Sequence, residues 1–209
     1  MDDSYVKDLE KFFERMLNPL KDNPFTMVIR LISKCKVLPF DGNKDLVVVL
    51  SKSFNDASIA INKHGIKSGR PNEVGNKIEP FVKTALNQNK IAAIIPEGRS
   101  AGYPDLMFEF NKENYYLECK SFSSKTEDSS QRTFYFSPSK TFKVKKDACH
   151  LMVSYRVYTK NKKFFVDKWS LYSLETLKVD LKHEFNQSNK KMYDTEGGLK
   201  LIASKTLNN

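Results

Sequence analysis

Asp105, Glu118 and Lys120 are the residues of this chain whose types and spacing could do chemistry. Asp105 opens the apolar run Leu106-Met107-Phe108-Glu109-Phe110, and Glu118 and Lys120 lie in a second, Tyr115-Tyr116-Leu117-Glu118-Cys119-Lys120-Ser121, after a polar break from Asn111 to Asn114. Two such runs around a short turn predict a β-hairpin. Side chains alternate faces along a strand, so Glu118 and Lys120 share one face while Leu117 and Cys119 point the other way, into a core. Carboxylates and an ammonium gathered like this suit metal-assisted hydrolysis. Mg²⁺ takes oxygen ligands, tolerates few protein carboxylates and keeps several waters. Asp105 and Glu118 would supply the carboxylates, and the backbone carbonyl of Cys119, between the two sites, a further ligand. The ion would lower the pKa of a bound water and neutralise charge building on a phosphate. Lys120 would hold the attacking water and offset charge in the transition state. The plainer alternative is two amphipathic strands with an exposed Glu118–Lys120 pair, which contributes little.

Pro104-Asp105 followed by Glu118-Cys119-Lys120 resembles the PD-(D/E)XK nuclease superfamily, whose core most type II restriction endonucleases share. The residue between Glu and Lys is usually apolar there; here it is Cys119, which often behaves as a buried hydrophobe. The resemblance implies an α/β restriction-endonuclease-like core, a mixed β-sheet flanked by helices, here with an N-terminal helical extension. It also implies Mg²⁺-dependent cleavage of double-stranded DNA at a specific sequence, and a homodimer on a palindromic site by analogy. The alternatives are a repair or junction-resolving nuclease of the same superfamily and a basic nucleic-acid-binding protein without catalysis.

The elements that must position these residues can be read outward. Val74, Ile78, Val82 and Leu86 recur every four residues and predict a helix over 72–88, with Pro80 either kinking it or marking its true first turn. In the superfamily the helix before the Pro-Asp strand commonly points a Glu at the metal. Glu79, beside Ile78, is the candidate, Glu73 the second choice, and a solvent-facing Glu the plain alternative. Lys90 to Ile95 reads as a short strand. The loop Pro96 to Tyr103 puts Arg99, Ser100 and Tyr103 beside the metal site, where they could contact phosphates. Beyond Lys120 the chain turns polar from Ser123 to Arg132, then reads as a strand at Thr133 to Ser137 and a basic segment to Lys146. Restriction enzymes of the superfamily often read DNA there, which makes Gln131, Arg132, Tyr135, Ser139, Lys140, Lys143, Lys145 and Lys146 candidate contacts.

At the N-terminus, Val6, Leu9, Phe12, Phe13, Met16 and Leu17 predict a helix over 4–17; Asn23-Pro24 reads as the cap and first position of a second. Leu46 to Ile61 fits a strand at its start but a helix over its length, and helix is preferred, ending at His64-Gly65. Lys63 to Pro71 is a basic loop. Cys149 to Tyr158 and Phe164 to Tyr172 read as strands, and Leu177, Leu181 and Phe185 have roughly helical spacing. The 209 residues suit a single nuclease domain, with a helical part at 1–70, a catalytic core at 71–175 and an extension at 176–209.

The net charge is +10. Between Lys140 and Lys168 nine positive residues face two negative ones, a local net of +7, so the charge is concentrated like an electrostatic footprint rather than spread for solubility. Three scattered cysteines with no C-x-x-C pair argue against a disulfide framework or zinc site and for a reducing, cytoplasmic setting. Met1-Asp2-Asp3 does not start a signal peptide, no apolar run approaches a membrane span, and no phosphate-binding glycine loop indicates ATP use. His64, His150 and His183 lack partner spacing and read as structural, with His150 at a strand start placed near DNA.

Overall fold

The computed structural model describes residues 3–17, 21–69, 71–98, 102–123 and 142–180. They fall into two units, 1–22 with 180–209, and 23–179. In the first, helix α1 (Asp3–Leu17) keeps Val6 and Leu9 half-buried and exposes its other residues through Arg15, as an amphipathic helix should.

The second unit runs β1 (Asn23–Pro24), α2 (Phe25–Ser33), β2 (Val37–Leu38), α3 (Lys44–His64), α4 (Pro71–Gln88), β3 (Leu106–Phe110), β4 (Glu113–Ser123), β5 (Ala148–Lys160), β6 (Lys163–Ser173) and β7 (Lys178–Val179). The sheet has the order β2-β5-β4-β3, with β6 also paired to β5. The β3–β4 and β5–β6 pairs are antiparallel, while β4–β5 and β2–β5 are parallel. This is the expected mixed α/β architecture, compatible with a restriction-endonuclease-like core.

The two central strands are buried on both sides, which explains their nearly continuous apolar sequence. Tyr115, Leu117 and Cys119 of β4, with Leu151, Val153, Tyr155 and Val157 of β5, face α3 and α4, which contribute Leu46, Leu50, Phe54, Val74, Ile78, Val82 and Leu86. The alternate residues Tyr116 and Ala148 face a second cluster with Phe25, Ile29, Tyr103, Val144 and Leu174. Each fully buried side chain of this size stabilises by roughly 1.5–3 kcal/mol, so two opposed layers fix which face Glu118 must occupy.

Local signals set the boundaries. The Asn43 side chain accepts from Leu46 N at 3.0 Å and starts α3. Gly65 ends it at φ 65°, and a Cβ there would come within 2.7 Å of the Phe165 ring. The preference for a helix over 46–61 is thus met. Helix α4 runs through Pro80, which has no N–H for the Asn76 carbonyl. Asn111 and Lys112 adopt positive φ and close the β3–β4 hairpin.

Three expectations are corrected. Residues 90–95 are not a strand. Ile94 alone bridges Met107, because the Asn87 side chain occupies both the N–H and the carbonyl of Ala93. Asn23 does not cap α2: Asn23-Pro24 pairs with β7, the Asn23 amide donates to the Val179 carbonyl, and Pro24 holds the cap position without a side-chain bond. Residues 174–180 form a turn and β7 rather than a helix, since Leu174 joins the second cluster and Leu177 accepts from Phe25 N. The rest of that tail and the strand expected at 133–137 lie outside the described residues.

Candidate active site

Asp105 stands just before β3, after a cis Tyr103–Pro104 bond. Leu106 pairs with Leu117, so Cys119 lies beyond the last register pair of β3. The Asp105 carboxylate takes the Cys119 N–H at 2.8 Å and so extends the ladder by one side-chain bond. In an extended strand the N–H and C=O of one residue face the same neighbour. The Cys119 carbonyl therefore turns to the edge where Asp105 sits.

Glu118 is only 4% exposed. Its Oε1 meets Lys120 Nζ at 2.5 Å, while its Oε2 is buried with no hydrogen-bond partner among the described residues. A buried, unsatisfied carboxylate oxygen costs about 1–3 kcal/mol or more. Burial pushes the Glu118 carboxyl up to about 8; the Lys120 ammonium opposes this, and the Asp105 and Glu79 charges add to it. Burial also lifts Asp105, held back by the Cys119 N–H, then by the Lys120 and Lys143 charges and a hydrogen bond with the Glu118 carboxyl. Glu79 is half-buried on α4, and burial followed by the Asp105 charge raises it to about 7 against Lys143 and Lys120. Glu73 is exposed and accepts from the Ser68 hydroxyl at 3.0 Å.

The donors near Asp105 and Glu118 are hard oxygens, which suit Mg²⁺ or a similar divalent ion. No group of three or more His, Cys, Asp or Glu among the described residues is arranged to hold a metal. Glu79 is thus within electrostatic range of the two carboxylates without completing a ligand triad. Two carboxylates, a carbonyl and waters fit the usual Mg²⁺ pattern, and the orphaned Glu118 Oε2 is an acceptor that such an ion would satisfy.

The other candidate contacts divide sharply. Tyr103 is buried, its hydroxyl 2.6 Å from His150 Nδ1 and its ring stacked on that imidazole at 5.8 Å. Burial lowers His150 to about 3, so it is a neutral residue beneath the site and not at the surface. Lys143 also turns inward: its Nζ donates to the carbonyls of Gly102 at 2.8 Å and Pro104 at 3.0 Å. Tyr103 and Lys143 therefore do not present themselves to DNA, because the second cluster takes the Tyr103 ring and the turn before Asp105 takes the ammonium. Lys145 and Lys146 are exposed, Lys145 facing Glu97 at 3.4 Å. Arg99, Ser100, Gln131, Arg132, Tyr135, Ser139 and Lys140 lie outside the described residues. Sequence reasoning missed the inward role of Lys143; its place between the apolar Phe142 and Val144 was the available signal.

Residues 20–196 match the model of a family described as the type II restriction enzyme MjaV family. The type II restriction enzyme MjaV of Methanocaldococcus jannaschii is 36% identical over 219 aligned positions, covering 92% of this chain and 95% of that protein.

Proposed function

This chain belongs to the MjaV family of type II restriction enzymes, and on that premise we propose that Asp105, Glu118 and Lys120 form the centre with which it hydrolyses phosphodiester bonds of double-stranded DNA. The activity is that of a site-specific endodeoxyribonuclease, and enzymes of this class generally use a divalent metal. Site-specific cutting is preferred over junction resolution and over non-catalytic binding on this ground.

The observation that carries the assignment is the buried Glu118 carboxylate, with one oxygen on Lys120 and the other unmatched, beside the Asp105 carboxylate. The ion we propose is Mg²⁺, held by Asp105, Glu118 and the Cys119 carbonyl. When bound, it supplies a water of lowered pKa and neutralises charge on the phosphate. Lys120 orients the attacking water and offsets transition-state charge. The Cys119 N–H fixes the Asp105 carboxylate in place. Glu79 stands at the rim of the site, where it can hold a water and exchange its proton near neutral pH.

Lys145 and Lys146 are proposed to contact the DNA backbone, joined by Arg99, Ser100, Gln131, Arg132, Tyr135, Ser139 and Lys140. The catalytic core is proposed to span 71–175 within one nuclease domain acting as a homodimer, without ATP, in the cytoplasm. No described helix is long and apolar enough to cross a membrane, and Cys35, Cys119 and Cys149 are free thiols. Digestion of plasmid DNA with Mg²⁺ or with EDTA tests the reading: discrete fragments with Mg²⁺ alone are expected, and a smear or no cutting would count against it.

A further inference from the structure

We infer that Lys143 is a positioning residue for cleavage, whose ammonium pins the turn that carries Asp105. The inference rests on the reading of Asp105 as a metal-holding carboxylate. Lys143 is only 6% exposed. Lysine is seldom buried, and a buried ammonium is costly unless its donors are matched. Here two of its three N–H donors are matched by the carbonyls of Gly102 and Pro104, at 2.8 and 3.0 Å. Pro104 immediately precedes Asp105 and has no N–H, and β3 begins only at Leu106, so the turn has no strand ladder of its own. Asp105 is thus held from two directions, by Cys119 N on its carboxylate and by Lys143 on the preceding carbonyl.

The rest of the segment explains why this lysine is available. Val144 is buried with Tyr103 and Tyr116, and Lys145 N donates to the Tyr116 hydroxyl at 2.9 Å. These contacts seat residues 143–145 on the sheet face that carries Tyr116 and Glu118, and they direct Lys143 into the turn. Lys143 is buried with its ammonium on the carbonyls of the turn, so it acts through Asp105 and not on the phosphate.

The test uses the full chain with Lys143→Met, which keeps the length but loses charge and donors, and Lys143→Gln, which keeps one N–H donor group. Thermal unfolding reports folding. Single-turnover cleavage at saturating DNA is then followed across a Mg²⁺ titration, with DNA affinity measured separately in EDTA. Lys143→Met is expected to need about tenfold or more Mg²⁺ for its half-maximal rate, as when a partner behind a metal ligand is removed. Lys143→Gln should fall between it and the wild type, and DNA affinity in EDTA should stay close to wild type. A merely structural role would lower the amount of active protein without moving the Mg²⁺ midpoint. Should Lys143→Met fail to fold, Lys143→Arg, which keeps the charge but changes length and shape, takes its place with a smaller shift in the same direction. An unmoved midpoint in a folded variant overturns the inference. A wild type that cuts equally well in EDTA would instead overturn the reading of Asp105.

Discussion

Glu118 and Lys120, two residues apart on one face of β4, meet at 2.5 Å between Oε1 and Nζ, and the meeting leaves Glu118 Oε2 buried and unmatched. The Lys120 ammonium thereby opposes the rise that burial imposes on the Glu118 pKa, and in the proposed mechanism it also meets the developing charge of the reaction. Lys120→Met is expected to slow cleavage by about 100-fold or more, the scale of losing one preorganised charge-stabilising donor, while DNA binding persists. Because the ammonium holds the Glu118 pKa down against burial, its loss should also move the acid limb of the pH–rate profile to higher pH. A normal rate would remove Lys120 from the mechanism.

The metal-free protein should lose stability as pH rises. The folded state raises Glu118 from 4.5 to about 8 and Glu79 from 4.5 to about 7. Between those limits the folded state keeps protons that the unfolded chain has released, so the slope of stability against pH is negative. The contribution is full below 4.5 and is lost as pH climbs through 7 and 8. Melting temperatures in EDTA from acid to mildly alkaline pH, compared with Glu118→Gln, isolate the effect: the wild type should fall more steeply. Mg²⁺ should restore more stability at the alkaline end, about 2.7 kcal/mol at a hundred times its dissociation constant. Parallel curves for wild type and variant would contradict it.

Glu79 and Glu73 can be told apart by the same assay. Glu79→Gln removes one charge from the neighbourhood of Asp105 and Glu118. It should stabilise the metal-free protein slightly, shrink the Mg²⁺ gain and slow cleavage. Glu73→Gln, which among the described residues touches the exposed Ser68 hydroxyl bond, should do none of these. The reverse outcome would place the third carboxylate about 1.7 turns earlier on α4.

Much of this arrangement was legible in the sequence because β periodicity is strict. Tyr115, Leu117 and Cys119 had to share a face, which left Glu118 and Lys120 together on the other. The four-residue spacing on α4 gave the helix, and Glu79 followed from its position beside Ile78. What failed was decided by side chains that capture backbone groups, one six residues on and two across long separations. Asn87 takes the would-be strand at Ala93, Asn23 reaches Val179 and Lys143 reaches Pro104. Local propensity does not name the partners of such bonds, and a lysine within a basic run reads as solvent-facing even where, as for Lys143 between Phe142 and Val144, its apolar neighbours hint otherwise.

The exposed lysines make a separate prediction about binding. Lys145→Gln with Lys146→Gln should weaken DNA binding on all sequences and flatten the slope of log K against log salt by about 0.9 for each phosphate that is no longer neutralised. The rate at saturating DNA should stay near wild type, since neither side chain reaches the carboxylates. An unchanged slope would show that both lysines face away from DNA.

The most direct measurement on the proposed centre is cleavage of long DNA by wild type, Asp105→Asn and Glu118→Gln across a Mg²⁺ titration, with binding to the same DNA measured in EDTA. The wild type should give discrete fragments that vanish with EDTA. Both variants should bind DNA in EDTA about as well as wild type, because each amide keeps the shape of a buried carboxyl that burial already holds toward its protonated form, yet give no fragments at any Mg²⁺ concentration. Either variant cutting at the wild-type rate would contradict the assignment of Asp105 and Glu118 as the metal-holding pair.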